Sequence, residues 1–197
     1  ALHQQHKRID AIHVITTRPG KEKINAFLLS PTDGKYCQYL KEYGIDTSSI
    51  DFGFHNIHTI KNGHAVEIDD IEGEEENEML LKKCLELTFA LTRDSDTAVF
   101  FSVAGGRKTM SASLTLAAQM YGRPQDRLYH VLVSPEFESN RDFYYPPRKS
   151  GAIEITDKKG ERSLKETRYA KITLVSIPFV SVRDRIADDL LKQPSDP

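Results

Sequence analysis

At 197 residues, 39% hydrophobic and 28% charged, the chain has the size and composition of one globular domain, or of one domain with a small appendage. A net charge of −2 excludes a globally basic nucleic-acid binder, so any anion site must be local. Cys37 and Cys84 match no metal spacing and read as reduced residues of a cytoplasmic protein, and neither a membrane-length apolar run nor a signal peptide is visible.

The chain begins at Ala1 without an initiator methionine. Residues 1–8 read as the last turns of a helix, with Lys7 and Arg8 suited to its carboxyl end, and this predicts that a preceding strand and loop are missing. Ala11, Ile12, Val14 and Ile15 make 9–17 a buried strand. His13 lies within it as a packing residue, and Thr16 and Thr17 end it. Two short helices follow over 21–29 and 35–43, punctuated by Pro31, Asp33 and Gly34, and Gly44 closes the second. A strand is expected around 56–60. His55 and His58 alternate with Ile57 there, so they are not a helical metal pair, and no third ligand is near. A polar loop over 61–70 leads to a long helix over 74–92. Its apolar face is Met79, Leu80, Cys84, Leu87 and Leu91, and Glu74, Glu75 and Glu76 complement its positive end rather than form a catalytic cluster.

The stretch 97–122, TAVFFSVAGGRKTMSASLTLAAQMYG, organises the rest. Its apolar run over 98–103, broken only by Ser102, suits a buried parallel strand. The pattern breaks at Gly105 and Gly106, and after Arg107, Lys108 and Thr109 apolar residues return at helical spacing: Met110, Leu114, Ala117 and Tyr121. Gly122 and Pro124 stop that helix. Glycines admit an anion close to the backbone, and a helix start with two cations favours negative charge. The turn is neither a Walker loop, since Phe101 stands where the first glycine belongs and Arg107 parts Gly106 from Lys108, nor a GxGxxG fingerprint.

A further buried strand covers 127–134, with His130 packing inside it. Ser134, Glu136 and Phe137 follow its carboxyl end, where ligand loops belong. Beyond Pro146 and Pro147 the pattern changes. A half-exposed strand is expected over 151–156, a charged excursion over 157–168, and a strand-like stretch over 169–182 that Pro178 makes an edge strand or two short ones. A short helix over 184–192 and a frayed tail over 193–197 complete the reading. This order predicts an α/β fold: a Rossmann-like, doubly wound, mostly parallel sheet over 1–150, with an antiparallel β extension and a short helix over 151–197 packed on the same domain. Strand ends would gather Thr16, Thr17, Gly105, Gly106, Arg107, Lys108, Ser134 and Glu136 at one edge, a site for an anionic small ligand.

SVAGGRKTM followed by a helix, and then YGRPQDRLYHVLVSPEFESNRDFYYPP, resembles the CRISPR-associated Rossmann-fold (CARF) domain, in particular small stand-alone proteins of that type associated with type III CRISPR systems. The likeness runs from about Ile9 to Arg183 and includes the ending over 178–184. It implies a homodimer that binds cyclic tetra- or hexa-adenylate in antiviral defence. Gly105 and Gly106 would offer backbone N–H groups, Arg107 and Lys108 would neutralise phosphates beside Thr109, Thr16, Thr17 and Ser102 would bond ribose or phosphate, and Ser134, Glu136 and Phe137 would line the adenine pocket. It also leaves open a metal-independent ring nuclease, with Lys108 or Arg107 as candidates for stabilising transition-state charge, and, outside the family, another nucleotide-binding or regulatory role. No cofactor, no metal and no direct DNA binding are expected, and membrane contact only through a segment before Ala1.

Overall fold

The computed structural model describes residues 1–138, 140–156 and 160–185. The chain is α/β. In order it forms β1 (Val14–Thr16), α1 (Arg18–Lys23), α2 (Lys35–Tyr43), β2 (Ile57–Thr59), α3 (Glu74–Leu91), β3 (Phe100–Ser102), α4 (Lys108–Tyr121), β4 (Arg127–Val133), the short α5 (Pro135–Glu138), β5 (Ala152–Thr156), β6 (Arg162–Glu166) and β7 (Ile172–Ile177). Among the described residues the strands make three small sheets, in the orders β1-β2, β3-β4-β7 and β5-β6. They do not join into the single large sheet expected from the alternation of elements. No described helix is long and apolar enough to cross a membrane.

The chain divides into two compact units. One comprises Ala1–Val14, Pro19–Ile57 and Leu132–Thr173, and the other Ile15–Arg18, His58–Val131 and Leu174–Pro197. The second contains β3, the glycine turn and α4. Its core packs α3 against α4 through Leu80, Cys84 and Ala117, with Ile60, Ile68 and Ile71 from the segment before α3. A second cluster, Phe101, Ala118 and Leu128, seats α4 on β3 and β4. β3 and β4 are parallel, with Phe101 opposite Leu128 and Ser102 opposite Tyr129, so α4 is the crossover of a βαβ unit. Both thiols are free, and burial pushes the Cys84 thiol up to about 12. α3 starts as its charge pattern predicts: Glu74, Glu75 and Glu76 fill its first turn, and the Glu76 carboxylate accepts the Gly73 N–H at 2.8 Å.

Gly122 does end α4, but not as a left-handed cap: its φ is −62°. The glycine is required by space, since a Cβ there would press on the Ala118 carbonyl oxygen and lie 2.8 Å from the Phe179 ring. Between Gly122 and β4, Arg123 and Asp126 form a buried ion pair. Asp126 accepts the Val99 N–H at 2.7 Å and the Arg123 N–H at 2.8 Å, as well as the Arg123 Nε at 3.0 Å and Nη2 at 2.9 Å. Arg123 reaches on to the carbonyls of Thr97, at 3.1 Å, and Asp94. The pair thus clamps the approach to β3 onto the approach to β4 and fixes the frame that carries the glycine turn.

In the other unit, α2 ends on Gly44 in the left-handed region, φ 65°, as its position after Tyr43 suggests. β5 and β6 form an antiparallel hairpin, Ala152 opposite Glu166 and Thr156 opposite Arg162. β6 takes up Arg162–Glu166 of the expected charged excursion, whose residues 157–159 lie outside the described residues. Residues 1–8 contain a single 3-10 turn, His3–Gln5, closed by His6 at φ 55°, in place of the expected end of an α-helix. The helix expected over 184–192 coincides with the 3-10 turn Arg183–Arg185 at its start; its remainder and the tail over 193–197 lie outside the described residues.

Candidate anion-binding turn

β3 ends at Ser102, and the Val103 N–H still donates to the Tyr129 carbonyl at 2.9 Å. The chain then turns through Gly105 at φ 89° and Gly106 at φ 73°. Any other residue would be strained at these angles, so the local fold demands the two glycines. Arg107 is extended, Lys108 opens α4, and Ser111 Oγ ties the new helix back to the Val103 carbonyl at 3.0 Å. The turn over 104–109 is exposed. Among the described residues, no protein acceptor takes the N–H of Gly105, Gly106 or Arg107, and no carboxylate pairs with Lys108. Open backbone donors beside a cation at the start of a helix are the chemistry that holds a phosphate or carboxylate.

Arg107 is not an idle cation. Its Nε donates to Asp70 Oδ1 at 2.7 Å and its Nη2 to Oδ2, a two-pronged pair. The neighbouring Asp69 Oδ1 receives the Arg18 Nε at 2.6 Å, just beyond β1. The Arg107 hydrogen bonds hold the Asp70 carboxyl down to about 2, helped by the Ile71 N–H at 2.8 Å. The sign follows from that depression. The contact contributes above the ordinary aspartate range and is lost as pH falls through about 2. An NMR titration of the Asp70 side-chain carboxyl should therefore show a midpoint near 2, returning toward the ordinary value of 3.8 in Arg107→Ala. A wild-type midpoint near 3.8 would contradict the pair.

Thr16, Thr17 and Ser102 belong to the same unit as the turn. Thr16 is the last residue of β1, its carbonyl accepting the Ile60 N–H at 3.0 Å; Thr17 leads into α1; and Ser102 is exposed at the end of β3. Ser134, Glu136 and Phe137 belong to the other unit. Ser134 Oγ accepts the Lys171 N–H at 3.1 Å, and its carbonyl accepts the N–H groups of Phe137 and Glu138, so it starts α5. Glu136 pairs with Lys165 at 3.1 Å. Phe137 is 1% exposed and packs on Phe143 with ring centroids 5.1 Å apart. Its ring is therefore part of the packing of this unit.

His55 Nε2 lies 2.9 Å from Asp51 Oδ1, and burial lowers the pKa of His13. Among the described residues no cluster of histidine, cysteine, aspartate and glutamate fits a metal. Sequence reasoning missed Asp69, Asp70 and Arg18, whose pairing runs between distant segments. It also missed the cavity of about 650 Å³ at the opposite end of β4 from the turn. That cavity is bordered by Arg123, Asp126, Phe179 and Arg183. Arg123 and Arg183 are occupied there by structural bonds: Arg183 Nη1 donates to the carbonyls of Tyr121 at 2.8 Å and Thr92 at 3.2 Å.

A family model described as CRISPR-associated protein NE0113 matches residues 1–197, the full length of the chain. The chain belongs to the CRISPR-associated protein NE0113 family. A search of curated proteins finds no match. Membership in the NE0113 family supports a role in CRISPR defence, and it places the βαβ turn within a protein of that system.

Proposed function

We propose that this NE0113-family protein is a CARF-type sensor that binds a cyclic oligoadenylate through the turn over 105–108. The observation that carries the reading is the turn itself. Two glycines in the left-handed region leave backbone donors open beside Arg107 and Lys108, at the carboxyl end of a parallel strand. The chemistry suits a phosphodiester, and the position is where open α/β folds bind ligands. Thr16, Thr17, Ser102 and Thr109 supply hydroxyls in the same unit. A Rossmann-like frame belongs to the reading, and the β3–α4–β4 crossover supports it. So does a homodimer, because a ring of identical nucleotides has rotational symmetry that two copies of one site can match across a dyad. Association with a type III system and a cytoplasmic location complete the proposal.

The test is calorimetric titration of the purified chain with cyclic tetra- and hexa-adenylate, with the nucleotide analysed afterwards. One ring should bind and stay intact for hours. The double variant Arg107→Ala/Lys108→Ala should bind it about tenfold or more weakly, since each charged hydrogen bond contributes roughly 1.5–3 kcal/mol. A linear product that disappears in Lys108→Ala would make the protein a ring nuclease. Failure to bind either ring would remove the proposal.

A further inference from the structure

Asp69 and Asp70 are consecutive, and each grips an arginine: Arg18 after β1 and Arg107 in the glycine turn. Asp70 takes both prongs of the Arg107 fork through Nε and Nη2. A planar guanidinium presents that same pair of donors to a carboxylate or to a phosphate, but not to both at once. In the structure the best phosphate-binding edge of the turn is thus already filled by an internal anion, while the adjacent Lys108 and the open N–H groups are not.

We propose that Asp70 is a displaceable internal counter-anion: it holds the phosphate's place on Arg107 in the unliganded protein and yields it to the incoming phosphate, so that it sets how strongly the turn binds. The inference rests on reading the turn as a phosphate cradle and adds the regulation of that site. The pair is suited to exchange. Both side chains are about half exposed, 54% for Arg107 and 43% for Asp70, so separating them returns two charges to water rather than to a dry core. Asp70 keeps a second partner when Arg107 leaves, because its Oδ1 also accepts the Ile71 N–H. The Asp70 hydrogen bonds and charge raise the pKa of Arg107, and the charge of a second carboxylate, Glu72, acts in the same direction and adds to the negative charge that a ligand must overcome. Such an arrangement favours ligands with two or more phosphate charges over monoanions, since a single weak anion gains little by replacing a carboxylate that is already in place.

The experiment compares wild type with Asp70→Asn by calorimetry, using inorganic pyrophosphate and cyclic tetra-adenylate as separate probes. Asparagine keeps an oxygen for the Ile71 N–H and removes the competing charge, and thermal melting checks that the fold is intact. Asp70→Asn should bind pyrophosphate about three- to tenfold more tightly, the range expected for removing an exposed ion-pair competitor. The gain should vanish when Arg107→Ala is present in both proteins. Equal affinity would overturn the inference by showing that Asp70 does not stand in the phosphate's way. Weaker binding would overturn it in favour of a residue that orients Arg107. Tighter pyrophosphate binding with no binding of the ring keeps this inference and sinks the ring-binding reading. Ring binding indifferent to Asp70→Asn does the reverse, and no binding of either probe to either protein overturns both.

Discussion

Asp126→Ala is expected to destabilise the protein by about 3–5 kcal/mol, the cost of breaking a buried ion pair from one side. The Asp126 side chain is 0% exposed and that of Arg123 8%, so the guanidinium left behind has little water to turn to. Two main-chain donors, the N–H groups of Val99 and Arg123, lose their acceptor in the same step. A loss of that size is a large fraction of the ~5–15 kcal/mol that holds a typical domain together. Asp126→Asn should fall between, since it keeps an acceptor for one N–H but leaves the cation uncompensated. Replacing both residues with apolar side chains of similar size should cost less than Asp126→Ala alone, because no buried charge remains. Urea unfolding followed by circular dichroism measures all three. A change below about 1 kcal/mol for Asp126→Ala would mean that water reaches Arg123 and that the clamp on β3 is not buried in solution.

Leu80→Ala carries the next largest expected effect, about 2–5 kcal/mol. Leu80 is 0% exposed and stands in the cluster where α3 meets α4, with Ile60, Ile68, Ile71, Cys84 and Ala117 around it. Both helices are fixed at their ends, α3 by the Glu76 cap and α4 by the glycine turn and the Gly122 corner, so the site can collapse only partly around the missing carbons. If the turn binds an anion as proposed, the same change should lower that affinity much less than it lowers stability, because Leu80 belongs to the apolar α3–α4 cluster and not to the polar groups of the turn. An equilibrium unfolding curve beside a pyrophosphate titration separates the two effects. A loss of stability under about 1 kcal/mol would show a core able to refill the space.

Elements with strong periodicity were legible in the sequence. The α2 helix over Lys35–Tyr43 and the α3 helix over Glu74–Leu91 fall where spacing and end signals put them, and the turn before α4 falls where two glycines and two cations put it. The apolar runs over 9–17 and 98–103 shrink to the three-residue strands β1 and β3, because an apolar run specifies burial, not ladder pairing. Gly122 was recognisable as a stop, but its reason, the Phe179 ring, lies in a distant segment. The site divides in the same way. Gly105 and Gly106 announce their conformation locally, whereas the partner of Arg107 is thirty-seven positions away. Arg123 and Asp126 look like surface charges in the sequence, and their burial becomes visible only with the segment over 94–99 packed against them.

The β5–β6 hairpin has a consequence for how the protein behaves at high concentration. A two-stranded sheet is all edge, and an open edge recruits strands from other molecules. One border is occupied from within: Asn140 Nδ2 donates to the Glu154 carbonyl at 2.6 Å. The other strand reads Arg-Ser-Leu-Lys-Glu, exposed along most of its length, with Arg162 paired to Glu154 and Lys165 to Glu136. A second hairpin that tried to extend the sheet would have to strip water from these charges and loosen their pairs with Glu154 and Glu136. The charges that hid β6 from a hydrophobicity reading thus discourage the chain from polymerising through it.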